Sequence, residues 1–355
     1  MKYFETFCTE RNISKETIKG YRTAINRYCK YYDMTLDELI DEAIDEENDR
    51  DLDKRRRSIK GRLIQFRTHL LNETNLKHNT IKGFMKRITT IYSHFDVDLP
   101  TLPKMQSDDI IETTYFDLPT KKQIGMAVDI AGVRLASLIL FMASSGTGRT
   151  ECANMTIQDF IDGCRDYITV ESDDLKEILE ELYGSIEPIV PTLYLCRQKT
   201  KKKYYTFCTP EASHKIIEWL LLRLEIAETK EEPLSPTDSL WDLTTRQMTY
   251  HFNNINDDLN FGFKGSYRFF RPHTLRKFHA SNIGLSQDNI DLLEGRSRDS
   301  VHETYIKTNP TQFKQLYMTV MENVTIGKTN KEIKHEEFTI NINLNFYGYS
   351  QTVTL

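Results

Sequence analysis

Apolar residues fall at helical spacing through the first hundred positions. Ser14 can cap a helix over 14–33, in which Ile18, Tyr21, Ile25, Tyr28 and Tyr32 recur on one side. Thr35 and Glu38 form a capping-box pattern that opens a second helix carrying Leu36, Leu39, Ile40 and Ala43. A third helix is predicted from Lys54 to Leu71. A fourth runs from Asn79 to Phe95, with Ile81, Phe84, Met85, Ile88, Ile91 and Tyr92 on its apolar side. Together they predict a small all-helical domain over residues 1–105.

The pattern breaks between Asp96 and Pro119, where Pro100, Pro103 and Pro119 occur without periodicity. The interdomain linker is placed at 106–117 and a second domain at 118–325. Thr120 and Gln123 make another capping box, and an apolar helix pair follows through Met142. Runs of β-branched and aromatic residues at 164–170 and 189–208 predict a small sheet, with two strands around the basic turn Gln198–Lys203. Pro210 opens a further helix, and helices resume from Thr245 to about Tyr317. In the tail, 326–355, Phe338, Ile340, Ile342, Leu344 and Phe346 alternate with polar residues. That is a strand with one apolar face, which needs a partner in its own subunit or in a neighbour.

The 355 residues are enough for two domains with cores of their own. No run of about 18 apolar residues occurs, so no membrane span or membrane partner is expected. The N-terminus lacks a signal-peptide pattern, and a cytoplasmic location is expected. The six cysteines form no CxxC pair, so neither a metal site nor a disulfide framework is predicted. No cofactor is called for by any motif.

The net charge of −5 conceals a strong asymmetry. Residues 36–53 hold ten acids and one base, the usual signature of a solvated helix face. Residues 54–104 hold twelve lysines and arginines against three acids. Such a local excess suits the neutralisation of phosphates and the release of counterions.

The segment FRPHTLRKFHA carries the most chemistry. His273 and Arg276 stand three apart and share a helical face behind Pro272. A guanidinium can hold two phosphate oxygens while an imidazole donates or moves a proton. Alone, this pair is commonplace on protein surfaces. It is followed by LLEGRSRDSVHETYIK, which holds Tyr305 in a charged setting. Cations near a phenol favour its phenolate and neutralise a pentavalent phosphorus.

These residues resemble the motifs of the tyrosine recombinases. PHTLR is similar to their His-x-x-Arg box, and LLEGRS to their Leu-Gly-His-Ser segment, with Arg296 where the family commonly has His or Trp. Tyr305 lies nine positions after Arg296, the family's spacing to its nucleophile, which selects it over Tyr317. Thr304 fits the family's neighbourhood. Lys199-Thr200 resembles the family's catalytic lysine on a β-hairpin, with Lys201, Lys202 and Lys203 as substitutes or phosphate contacts. SSGTGRTE resembles the Thr-Gly-x-Arg-x-x-Glu segment. Aligned on Glu151, however, Gly148 falls on the arginine position and Arg149 comes one later, a rotation of about 100° on a helix. A local adjustment at the turn would restore Arg149.

The resemblance covers most of the chain. It implies a mainly α fold: a helical core-binding domain, then a mostly helical catalytic domain with a small β-sheet, the two embracing duplex DNA as a clamp. It implies a site-specific integrase acting through a 3′-phosphotyrosine at Tyr305, with Arg149, Lys199, His273, Arg276 and Arg296 around the phosphate. Double-stranded DNA, a homotetramer on that DNA and DNA-bending accessory proteins are the implied partners. Integration or excision of a phage or mobile element is the implied role. The phosphodiester energy is conserved, so neither ATP nor a metal is required. Two rival readings use the same residues: a type IB-like topoisomerase, and a DNA-binding protein with a degraded catalytic centre.

Overall fold

A computed structural model describes residues 2–105, 114–296 and 309–327. Tyr305, the tail strand and most of the expected linker lie outside the described residues. The chain divides into two compact units, Met1–Ile110 and Ile111–Leu355. The fold is mainly helical, as the sequence predicts, and among the described residues it holds two small antiparallel sheets where one was expected. Among the described residues, no helix is long and apolar enough to cross a membrane.

Among its described residues the first unit holds five α-helices: α1 (Lys2–Glu10), α2 (Lys15–Tyr32), α3 (Leu36–Asn48), α4 (Ser58–Asn72) and α5 (His78–His94). The predicted caps are present: Ser14 accepts from the Thr17 N–H, and Thr35 and Glu38 cap α3 reciprocally. The added helix, α1, is short and buries only Phe4 and Phe7. The apolar stripes meet in one core around Tyr28, Phe66, Ile88 and Tyr92.

Most of the acidic run forms the solvated face expected of it, but three of its glutamates are turned to the basic stretch that follows. Glu42 pairs with Arg62 at 2.6 Å and Glu47 with Arg57 at 3.4 Å. Glu46 accepts from the Ser58 N–H at 2.7 Å, at the start of α4, whose own cap residue Arg57 makes no side-chain cap bond. Acidic and basic stretches adjacent in sequence fold against each other, so part of the basic excess is neutralised inside the unit. Lys60, Lys82 and Lys86 remain exposed.

The second unit opens with α6 (Lys121–Ile130), capped by Thr120 and Gln123, and α7 (Val133–Ser145). Short helices α8 (Arg149–Asn154), α9 (Ile157–Gly163) and α10 (Leu175–Tyr183) follow. The hairpin β1 (Leu193–Arg197) and β2 (Lys202–Thr206) pairs Leu193 with Thr206 and Arg197 with Lys202. Then come α11 (Pro210–Lys230), α12 (Thr245–Asp258), the two-residue strands β3 (Phe263–Lys264) and β4 (Tyr267–Arg268), α13 (Pro272–Asn282), α14 (Gln287–Leu293) and α15 (Pro310–Val320).

The strand expected at 164–170 does not form. Residues Arg165–Tyr167 make a single 3-10 turn, and the N–H groups of Thr169 and Val170 donate to the Glu181 carboxylate at 2.9 and 3.1 Å. A side chain of α10 thus satisfies the backbone that a neighbouring strand would have taken.

Helix α7 is buried on all sides from Ala136 to Ser145, packed between α11 and α13. Its last turn leaves carbonyls without helical partners, and three consecutive ones are captured by three different elements. Tyr317 of α15 donates to the Ser144 carbonyl at 3.0 Å, and Thr206 of β2 to that of Ser145 at 3.2 Å. The Gly146 carbonyl is taken by Arg276 of α13 at 3.0 Å. Tyr317 is fully buried, a packing residue whose hydroxyl is tied to a helix end. Tyr317→Phe therefore leaves a buried acceptor unsatisfied and should lower stability by about 1–3 kcal/mol, read by denaturant unfolding; an unchanged midpoint would show that the bond carries no weight.

Candidate active site

The site begins at Arg276. It lies on the second turn of α13, and its side chain is 13% exposed. Besides the Gly146 carbonyl, it donates through Nη2 to the Glu294 carbonyl at 2.7 Å. Its Nε lies 3.1 Å from Glu294 Oε2. One guanidinium therefore joins the α7–α8 turn, α13 and the end of α14, the three segments that carry the quoted motifs.

Glu294 is fully buried. Its Oε1 lies 3.2 Å from His279 Nδ1, on the same face of α13 as Arg276. Its Oε2 also lies 2.6 Å from Arg296 Nη2. Neither arginine meets Oε2 with hydrogen-bond alignment, so that oxygen is held by charge. Burial would raise the Glu294 pKa. The hydrogen bond from His279 and the charges of Arg276, His279 and Arg296 outweigh it and hold the carboxyl below its ordinary value.

Two glycines permit this closeness. Gly146 sits at φ 65°, and a Cβ there would lie 2.4 Å from His279 Nδ1 and 2.8 Å from Glu294 Oε1. Gly295 sits at φ 60°, where a Cβ would strike the Tyr204 ring at 2.6 Å. The hairpin is attached at the same place: Arg197 Nη1 donates to the Gly295 carbonyl at 2.8 Å, and Lys202 Nζ to that of Arg296 at 3.1 Å.

His273, three residues before Arg276, is largely open by surface area, yet protein atoms still desolvate its ring. That desolvation first, and then Arg271, Lys277 and Arg276, lower its pKa against the pull of Glu294. The imidazole is therefore neutral at pH 7, able both to donate and to accept a proton.

Arg149 is placed elsewhere. It opens α8, is exposed, and donates to Thr249 Oγ1 of α12. Gly148 faces the cluster instead: a Cβ there would lie 3.7 Å from Arg276 Nη1. Arg149 stands near Arg271, whose pKa is lowered by burial and by that neighbouring charge, with Tyr267 opposing. The Arg271 guanidinium lies over the Tyr267 ring at 4.5 Å. Lys199 stands exposed in the turn between β1 and β2, while Lys201 takes φ 56° and donates to Gln198 Oε1 at 2.9 Å.

The sequence reading names Arg276, His273 and Arg296, and the structure brings Arg276 and Arg296 onto one carboxylate. It does not name Glu294 or His279. His279 continues the three-residue spacing from His273 and Arg276, and Glu294 stands inside the quoted LLEGRS, so both signals were available.

No protein-family model matches this chain, and no curated protein does. Solved structures similar to it are recombinases and integrases. A XerH site-specific recombinase bound to difH substrate shares 14% identity over 88% of this chain and 82% of its own, with a TM-score of 0.49. The Tn1549 transposon integrase in complex with transposon right end DNA shares 12% over 90% and 98%, at 0.47. A lambda integrase tetramer bound to a Holliday junction shares 14% over 86% and 78%, at 0.46.

Two outcomes follow from the geometry. Gly146→Ala adds left-handed strain of about 1–3 kcal/mol to a collision with His279, and should destabilise the chain by more than that strain alone; wild-type unfolding would contradict the packing described. Glu294 has a depressed pKa, so its stabilisation is present above the ordinary glutamate pKa of about 4.3 and is lost as pH falls through the lowered value. Glu294→Gln should be less stable near neutral pH and show a flatter acid limb. Parallel stability–pH curves for the two proteins would refute the charge role.

Proposed function

We propose that this chain is a tyrosine recombinase, which cuts and rejoins duplex DNA through a covalent bond between Tyr305 and a 3′-phosphate. The observation that carries the reading is the meeting of three motif-bearing segments on the Arg276 guanidinium. Arg276 and Arg296 grip the scissile phosphate, and each gains strength as charge develops on the equatorial oxygens. Neutral His273 accepts the phenol proton as Tyr305 Oη attacks phosphorus. The P–O5′ bond breaks, a 3′-phosphotyrosine forms, and Lys199 protonates the departing 5′-oxygen. Lys202, already aimed at the Arg296 carbonyl, is the alternative donor. Arg149 and Arg271 place positive charge beside the start of α13, suited to an adjoining phosphate.

A 5′-hydroxyl of a second duplex then reverses the attack. Two rounds through a Holliday junction in a tetramer, with DNA-bending proteins where the site requires them, exchange all strands and integrate or excise a mobile element. The role of Tyr305 rests on its nine-residue spacing from Arg296 and on the family resemblance.

A second reading has a specific observation behind it. Gly148 occupies the first-arginine position and Arg149 is turned to Thr249, which favours a DNA-binding protein that has lost catalysis.

One experiment separates them. Duplexes spanning both sides of the gene, carrying random nicks, are incubated with the chain and run on a denaturing gel. A covalent adduct forms with wild type and not with Tyr305→Phe, which still shifts the DNA. DNA shifted by wild type without an adduct selects the non-catalytic reading, and an adduct persisting in Tyr305→Phe removes that residue as nucleophile.

Arg276→Ala and His273→Ala should each slow adduct formation on the order of 100- to 1000-fold while binding is retained. Since the His273 pKa lies below its ordinary value of about 6.5, the rate should hold at neutral pH and fall only on further acidification, as the base is protonated. An acid limb centred at or above the ordinary value of about 6.5 would contradict that role. With a 5′-thiol leaving group, which needs no acid, Lys199→Ala should regain wild-type rate; rescue of Lys202→Ala instead would move the assignment.

A further inference from the structure

We propose that Glu294 is the positioning residue of this site, its carboxylate setting Arg276 and Arg296 side by side as a two-arginine phosphate clamp. The inference rests on the recombinase reading and deepens it.

Two guanidinium groups repel each other, and a shared phosphate would bring them together only after DNA arrives. Here they already meet, because Glu294 Oε2 lies 3.1 Å from Arg276 Nε and 2.6 Å from Arg296 Nη2. The same residue holds Arg276 a second time through its backbone carbonyl at 2.7 Å. Its other oxygen is fixed by His279 Nδ1 at 3.2 Å. Both Glu294 and His279 are fully buried, so neither competes for the DNA directly. Asp291 Oδ1, 3.6 Å from Arg296 Nη1, is a weaker second tether.

The arginines remain open on their outer sides, Arg276 at 13% exposure and Arg296 at 36%. Of the five N–H donors of Arg276, Nε faces Glu294 and one on each Nη is taken by a carbonyl. Two are left for phosphate oxygens. One buried carboxylate against two arginines leaves net positive charge facing outward, prepared before the phosphate arrives.

The test has two arms. In the first, side-chain NMR of the full chain without DNA follows the Arg276 Nε–H, identified by its loss in Arg276→Lys. Its exchange with water should be slow in wild type and at least about tenfold faster in Glu294→Gln, as expected when an N–H shielded against a buried carboxylate opens to solvent. In the second, single-turnover cleavage and DNA affinity are measured for Glu294→Gln, Arg296→Gln and the double variant. Each single change should slow cleavage by on the order of 100-fold, with affinity held within about threefold. The double variant should be slower than Arg296→Gln but by clearly less than the product of the two single losses, because Glu294 acts partly through Arg296 and partly through Arg276.

Losses that multiply, or that fall equally on affinity and rate, would mean a merely structural role and overturn the proposal. If Glu294→Gln does not fold, Glu294→Asp and His279→Gln enter the same cycle with the same expectation. Fast exchange of the wild-type Nε–H overturns the Glu294 assignment whatever DNA does. Slow exchange in a wild-type chain that forms no adduct overturns the recombinase reading instead.

Discussion

The arrangement depends on the capture of one carbonyl. Helix α7 ends in the core, where water cannot satisfy its last turn, so each orphan carbonyl must find a donor within the protein. Tyr317 and Thr206 supply two, and the third, on Gly146, is supplied by Arg276. A cation suits the negative end of a helix. The choice of arginine does more than close that end. Its fork reaches the Glu294 carbonyl at the same time, and this fixes the end of α14 against the turn that leads into α8.

That capture explains why charge can be buried here at all. A fully buried carboxylate is costly unless it is paired on every side. Glu294 meets two guanidinium groups and one imidazole, and its depressed pKa records that their attraction exceeds the cost of desolvation. The glycines at 146 and 295 are part of the same solution, since a Cβ at either would occupy the space of His279 or Tyr204. Around this node the polar surface is cationic: Arg149 with Arg271 on one side, and Lys199 to Lys203 on the hairpin.

Much of the scaffold was legible. Ser14, Thr35 and Thr120 cap helices where the spacing predicts, and the strands around the basic turn pair as read. Residues 164–170 misled, because β-branched side chains mark a strand only when a partner strand is present, and here Glu181 of α10 took the backbone donors. In the acidic run the pattern reports the polar face correctly, but not that Glu42, Glu46 and Glu47 meet the basic stretch that follows. Of the residues that the motifs single out, Arg276 and Arg296 meet on one carboxylate. The motifs could not show that Arg149 turns to Thr249, since a one-residue shift at a helix start is settled by packing. Glu294 is marked in the sequence only by its place in LLEGRS; its burial against three partners is settled by the packing.

On the proposed function, the face built on Arg276 receives the DNA phosphate on which Tyr305 acts. The most direct measurement is a structure of the Tyr305→Phe chain bound to a duplex carrying its cleavage site. One backbone phosphate is expected within hydrogen-bond distance of the free N–H groups of Arg276 and Arg296, with His273 beside it and residue 305 in line with its 5′-oxygen. A duplex whose phosphates bypass Arg276, leaving Arg276 and Arg296 on Glu294 with no phosphate near them, would contradict it.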